Sequence, residues 1–174
     1  MDQVRNYVKK YRGMGYTCAE STLLAANEAW KLGLGPEAIK LMGGFGGGMH
    51  CGHVCGAISG GIAALSSKYL QGSGHSSPLL AIKCRLLVNT VEERTGHLRC
   101  DELAPIYKTP EEDCDPTVML IAGILDEVDA VEIDVPEHTG YDLRFPPEGK
   151  PGFADFYAAA KEQMDRQAAR AVVE

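Results

Sequence analysis

The sequence predicts an all-α protein: a single compact helical domain of six or seven helices, with a glycine-rich internal loop and an extended C-terminal tail that ends in a further helix. Three observations carry this. Apolar residues recur at steps of three and four along most of the chain. Helix-start signals punctuate it at Thr17, Pro36, Ser77-Pro78 and Asp115-Pro116. Strand-like alternation is confined to the brief Val131-Glu-Ile-Asp-Val135.

The elements follow in order. Gln3 to Tyr11 reads as a short helix with Val4, Val8 and Tyr11 on one face, ended by Gly13-Met-Gly15. Thr17-Cys-Ala-Glu20 fits a capping box, so the next helix starts there and runs to about Leu32, with Gly33 as its stop. Pro36 and Glu37 open a short helix with Ala38, Ile39 and Met42 as its apolar members. The stretch Gly43 to Gly61 then holds nine glycines, two histidines and two cysteines. Glycine lowers backbone order unless φ > 0 or a close approach requires it, and a flexible linker would be polar and serine-rich. A tight buried loop that presents thiols is the better reading.

Helix resumes from Gly56 to Leu70 on Ile58, Ile62, Leu65 and Tyr69, and Gly56 and Gly60 form a small-residue face. Ser77-Pro78 starts a helix to about Thr95 with Leu80, Cys84, Leu87 and Val91 as its core stripe. Cys100-Asp-Glu-Leu103 opens a short helical turn, punctuated by Pro105 and Pro110. Asp115-Pro116 caps an apolar helix over Val118–Val131. Glu132 to Gly152, rich in proline and glycine, reads as an extended surface segment. Phe153 to about Val172 is a last amphipathic helix. The expected organisation is a cysteine-bearing helical domain over residues 1–131, then the extended segment and helix of 132–174. The latter packs on the core or on a partner subunit, which allows a homodimer.

Composition narrows the function. The chain has 174 residues, a net charge of −7 and 45% hydrophobic residues, ordinary for a globular domain. The acidic balance argues against nucleic acid and anionic membrane surfaces. The apolar runs are too short for membrane insertion. The N-terminal segment is polar and lacks the apolar core of a secretory leader, so a cytoplasmic location is expected. Six cysteines there read as thiols rather than structural disulfides.

Four of the six occupy one kind of position. Cys18, Cys55, Cys100 and Cys114 all stand at predicted helix starts, where orphan N–H groups and the positive dipole end favour a thiolate and lower its pKa. Cys51 lies in the glycine loop within reach of Cys55, so Cys51 with Cys55, or Cys18 with Cys55, is the candidate pair for dithiol–disulfide catalysis. Cys84 reads as an inert core thiol. His50 and His53 flank Cys51 and are further candidate metal ligands. No strand precedes the glycine run, so it is not a dinucleotide fingerprint and NAD is not expected. No Gly-Lys-Ser/Thr follows it, so it is not a nucleotide-phosphate loop. Covalent haem needs Cys-x-x-Cys-His, which is absent.

The ordered set Thr17-Cys-Ala-Glu20, Gly43-Gly-Phe-Gly-Gly-Gly48, Cys55-Gly-Ala-Ile-Ser-Gly60, Cys100-Asp-Glu-Leu103 and Cys114 resembles the redox-active family defined by four spaced cysteines and a C-G-A-x-x-G motif. The resemblance covers about residues 5 to 130. It implies a small helical domain and a redox role, with Cys18, Cys55, Cys100 and Cys114 as the family cysteines. An iron–sulfur cluster held by these four, exchanging electrons with a redox partner, is the function it implies first. A thiol–disulfide redox protein is an alternative, and so is a non-catalytic assembly module stapled by zinc. Cys51, Cys84 and the segment after Val131 depart from the pattern, and Cys51 could stand in for a family cysteine.

Overall fold

The computed structural model describes residues 3–136 and 139–172. Met1 and Asp2 of the polar N-terminal segment lie outside these. So do Glu137 and His138 of the expected extended segment, and Val173 and Glu174. The described residues form eight α-helices and no strand ladder, only isolated bridges. They are α1 (Val8–Gly13), α2 (Cys18–Trp30), α3 (Pro36–Lys40), α4 (Gly56–Tyr69), α5 (Pro78–Thr95), α6 (Cys100–Tyr107), α7 (Asp115–Ala130) and α8 (Phe153–Ala171). The all-α class holds. The count exceeds six or seven because the Cys100 segment, expected as a turn, is a full helix. It runs through Pro105, which sits near its C-terminal end.

The centre of the fold is the pair α2 and α4, flanked by α1, α5 and α7. Its core is aliphatic: Val8, Leu23, Ile58, Leu65, Leu86, Leu87, Ile121 and Leu125 are all buried. α2 and α4 approach closely because α4 turns its glycines toward α2. A Cβ on Gly60 would overlap the Ala19 carbonyl oxygen, and one on Gly56 would overlap the Cys18 sulfur.

Not every local start signal acts as the sequence indicates: Asp115 is the first residue of α7 rather than its cap, the N-cap is Cys114, and the Asp115 carboxylate accepts from Arg12. Thr17 Oγ1 accepts the Glu20 N–H at 3.3 Å, and Glu20 Oε2 accepts the Thr17 N–H at 2.9 Å. Ser77 differs. Its hydroxyl donates to the Gln71 carbonyl at 2.8 Å and accepts the Gln71 N–H at 2.9 Å, so it closes the preceding loop instead of capping α5. At the end of α2 the left-handed residue that caps the helix is Lys31, with φ 54°, two positions before the expected Gly33. On α5 the buried residues are Leu80, Ile82, Lys83, Leu86, Leu87, Thr90 and Val91, and Cys84 sits half-buried at their margin.

Lys83 is the least expected core residue. It is 2% exposed. Its ammonium donates to the carbonyls of Val128 at 2.8 Å, Asp129 at 3.1 Å and Val131 at 2.7 Å, at the end of α7. They belong to the last turn of α7 and its cap, where the Val131 N–H also donates to the Val128 carbonyl, and the negative dipole end favours the cation. Burial pushes the Lys83 pKa down to about 8. Lys83→Met should lower stability by about 1–2 kcal/mol, because the buried Val131 carbonyl loses its donor, while Val128 keeps the Val131 N–H and Asp129 keeps the Tyr69 hydroxyl. Thermal unfolding of the purified variant measures this, and an unchanged midpoint would contradict it.

Between Val131 and Gly152 the described residues form no helix and include turns closed by Phe145 N–H to the Asp142 carbonyl and Lys150 N–H to the Pro147 carbonyl, and α8 then returns along α5 and α7. Ala160 and Met164 are buried there. Asn89 donates to the Tyr157 hydroxyl at 2.8 Å, and the Arg85 guanidinium lies over the rings of Phe153 and Tyr157. No helix among the described residues is long and apolar enough to cross a membrane.

Candidate functional site

Four helix starts meet at one end of the bundle. Cys18 is the first residue of α2 and Cys100 the first of α6, while Cys55 and Cys114 are the N-cap residues of α4 and α7. All four line a single cavity of about 220 Å³, together with Thr17, Gly46, Gly47, His50, Leu103, Thr117 and Val118. All six cysteines are free thiols.

Backbone pairing fixes where these cysteines sit. Val54 and Arg99 form an isolated antiparallel bridge. Cys55 N–H donates to the Leu98 carbonyl at 2.9 Å, and Cys100 N–H donates to the His53 carbonyl at 2.6 Å. The bridge therefore sets Cys55 and Cys100 on adjacent strands of chain. Cys114 is fixed by Arg12, whose guanidinium donates to Asp115 at 2.9 Å, to Asp113 at 2.8 Å and to the Tyr16 carbonyl at 3.1 Å. Arg12 thus ties the chain just before Cys18 to the chain on both sides of Cys114.

The glycine loop closes the arrangement. Gly47, Gly48, Met49 and His50 take φ values of 58°, 63°, 60° and 56°, a turn of left-handed backbone. For Met49 and His50 this costs about 1–2 kcal/mol each. The turn puts His50 on the cavity wall with its Nε2 3.1 Å from the Gly43 carbonyl. Gly48 packs where a Cβ would lie 2.5 Å from the His53 backbone and 2.8 Å from the Cys100 Cβ. Gly48→Val should therefore displace Cys100 and the loop. Since Gly48 lies off the α2–α4 core, the melting temperature should move less than metal uptake. A variant in which both are lost together would show that the loop is purely structural.

The cavity does not gather every candidate. Cys51 is exposed outside the wall, its thiol 3.5 Å from the Gly48 carbonyl. His53 contributes backbone hydrogen bonds and lies outside the wall as well. Cys84 is remote on α5, and burial pushes its thiol up to about 11. Among the described residues no three Cys, His, Asp or Glu side chains converge on one ion position.

The electrostatics correct one expectation. Helix N-termini were to lower the thiol pKa values. The N–H groups of Ala57 and Ile58 do act in that sense on Cys55, but burial and then the neighbouring Cys18 outweigh them and push Cys55 up to about 12. Cys100 is raised by burial, then by Cys18 and Asp101. Cys114 is raised by burial and then Asp113, with Arg12 opposing. Desolvation and like charge at close quarters exceed the dipole of a single helix end. Burial thus favours the protonated thiol at Cys55, Cys100 and Cys114.

A family model described as "Putative redox-active protein (C_GCAxxG_C_C)" matches residues 16–128, a span that contains all four cavity cysteines. No curated protein and no solved structure gives a match to the chain.

Proposed function

Because the chain belongs to the redox-active C_GCAxxG_C_C family, we propose that it is an electron-transfer protein whose Cys18, Cys55, Cys100 and Cys114 thiolates hold an iron–sulfur cluster. The observation that carries this is the convergence of four cysteines, from four separate helix starts, on one cavity of about 220 Å³. That space far exceeds what one water or one ion takes, and among the described residues no three Cys, His, Asp or Glu side chains are grouped to hold a single metal ion. A multi-atom group suits such a wall better than a lone zinc. Thiolates are the usual protein ligands of such clusters.

When bound, the cluster would supply a one-electron couple whose potential is set by charge, burial and hydrogen bonds to its sulfurs. The chain's own residues do the rest. Cys55 and Cys100 are held side by side by the Val54–Arg99 bridge, and Arg12 holds Cys114 against the start of α2. Leu103 and Val118 keep the wall apolar, which limits water. The redox partner is a proposal of class only: a one-electron donor or acceptor that docks near this end of the bundle.

The second reading is thiol–disulfide exchange. It is favoured by the Cys18 sulfur lying against Gly56, next to Cys55, and disfavoured by the Cys55 pKa near 12, since the thiolate is the attacking species. Anaerobic purification followed by iron, acid-labile sulfide and zinc analysis separates the readings. Iron with sulfide in similar amount supports the cluster. Zinc without iron would make the site a structural staple, and a metal-free protein that resists reconstitution but cycles a disulfide would support exchange.

A further inference from the structure

The cavity wall carries one buried hydroxyl that the fold does not use. Thr117, in the first turn of α7, is 4% exposed and lines the cavity beside Cys114 and Val118. The other buried hydroxyls have partners: Ser21 donates to the Tyr16 carbonyl at 3.3 Å, Thr22 to the Cys18 carbonyl at 2.9 Å, Ser77 to the Gln71 carbonyl at 2.8 Å and Thr90 to the Met164 sulfur at 3.8 Å. The Thr17 hydroxyl, also on the wall, accepts the Glu20 N–H. Among the described residues the Thr117 hydroxyl meets no such partner, although no polar side-chain atom there is both sealed from solvent and unpartnered. The hydroxyl therefore keeps some accessible surface, on a residue that lines the cavity.

A hydroxyl that meets no protein partner keeps its O–H free for a group bound beside it. We infer that Thr117 donates a hydrogen bond to a sulfur of the group bound in the cavity and so raises its reduction potential. This rests on the cluster reading above. One electron taken from a reductant adds one negative charge inside the cavity, and a donor aimed at a sulfur stabilises the reduced form more than the oxidised one. The neighbouring Arg12, also on the wall, is oriented by Asp113, Asp115 and the Tyr16 carbonyl through three of its five N–H donors, whereas the Thr117 hydroxyl has no protein partner among the described residues.

The test is a redox titration of the anaerobically loaded protein with dithionite as the one-electron reductant, followed by the spectrum of the cluster. T117V should load iron and sulfide as the unmodified chain does, and its reduction should become about tenfold less favourable, a fall of about 59 mV for a one-electron couple. T117S should stay near the unmodified value. Equal iron content with an unshifted potential in T117V would overturn the inference and leave the cluster reading intact. If T117V fails to load, T117S and T117A decide instead: a lowered potential in T117A alone supports the hydroxyl's role, and equal potentials in the two overturn it. If the unmodified chain takes up no iron or sulfide, the cluster reading fails and this inference fails with it.

Discussion

Cys55→Ser should abolish cluster binding and leave the helical fold in place. Cys55 is 5% exposed, is the N-cap of α4, and faces the N–H groups of Ala57 and Ile58. Serine fits that space and can accept the same N–H groups, so helix content should be preserved. As a ligand it differs, because a hydroxyl is a harder and far less acidic donor than a thiol and serves soft iron–sulfide chemistry poorly. We expect iron retention to fall at least about tenfold, on the argument that losing one of four ligands removes more than 1.4 kcal/mol of binding. Cys18→Ser, Cys100→Ser and Cys114→Ser should behave alike, although Cys114 sits in the more exposed loop. Cys51→Ser and Cys84→Ser are the internal controls, since neither side chain lines the cavity. Iron content per chain, with circular dichroism on the same samples, measures both halves. Full iron retention in the Cys55 variant would contradict the assignment of this ligand.

Gly60→Ala should destabilise the protein by about 2 kcal/mol, against the local expectation. Within a helix, glycine to alanine gains about 1 kcal/mol from propensity. Gly60, however, faces the Ala19 carbonyl across the α2–α4 contact, and the Thr22 Cβ lies 3.0 Å from where a new Cβ would stand. The first obstacle is backbone, so the two helices must separate, and overpacking of this kind costs about 1–3 kcal/mol or more. Separation would also carry Cys18 away from Cys55. Gly61→Ala is the comparison, because its Cβ would meet the Leu87 Cδ2 at 2.8 Å, the far end of a side chain that can rotate. That variant should lie within about 1 kcal/mol of the parent, as propensity and a small repacking cost nearly cancel. Urea unfolding of the three proteins gives the differences. A Gly60→Ala variant more stable than the parent would show that the α2–α4 approach is not limited by this residue.

Much of this architecture was legible in the sequence because its signals are local. The Thr17–Glu20 capping box needs only four residues, and the prolines at helix starts act on their own φ angle. The four-residue spacing of Gly56 and Gly60 pointed to a close helix contact, and α2 is the element that fills it. That four cysteines share helix starts was also local information.

What escaped the sequence depends on chain segments far apart. The Val54–Arg99 bridge joins segments 45 positions apart with one pair of residues, too short for any alternation to show. Arg12 reads as an ordinary surface cation in a polar run, and only the fold brings Asp113 and Asp115 around it. Lys83 was invisible as a core residue because lysine is normally solvated; its partners are carbonyls at the end of another helix. The raised thiol pKa values went the same way. Position on a helix was readable, while burial and the mutual proximity of the sulfurs are tertiary facts.

The most direct measurement of the central claim is cysteine protection mapped by alkylation and peptide mass spectrometry, on anaerobically loaded protein and on the same protein after chelation. The account predicts that loading shields Cys18, Cys55, Cys100 and Cys114, that chelation restores their labelling under mild denaturant, and that exposed Cys51 is labelled in both states. Shielding of Cys51 with labelling of any one of the four would contradict it, and would place the bound group outside the cavity.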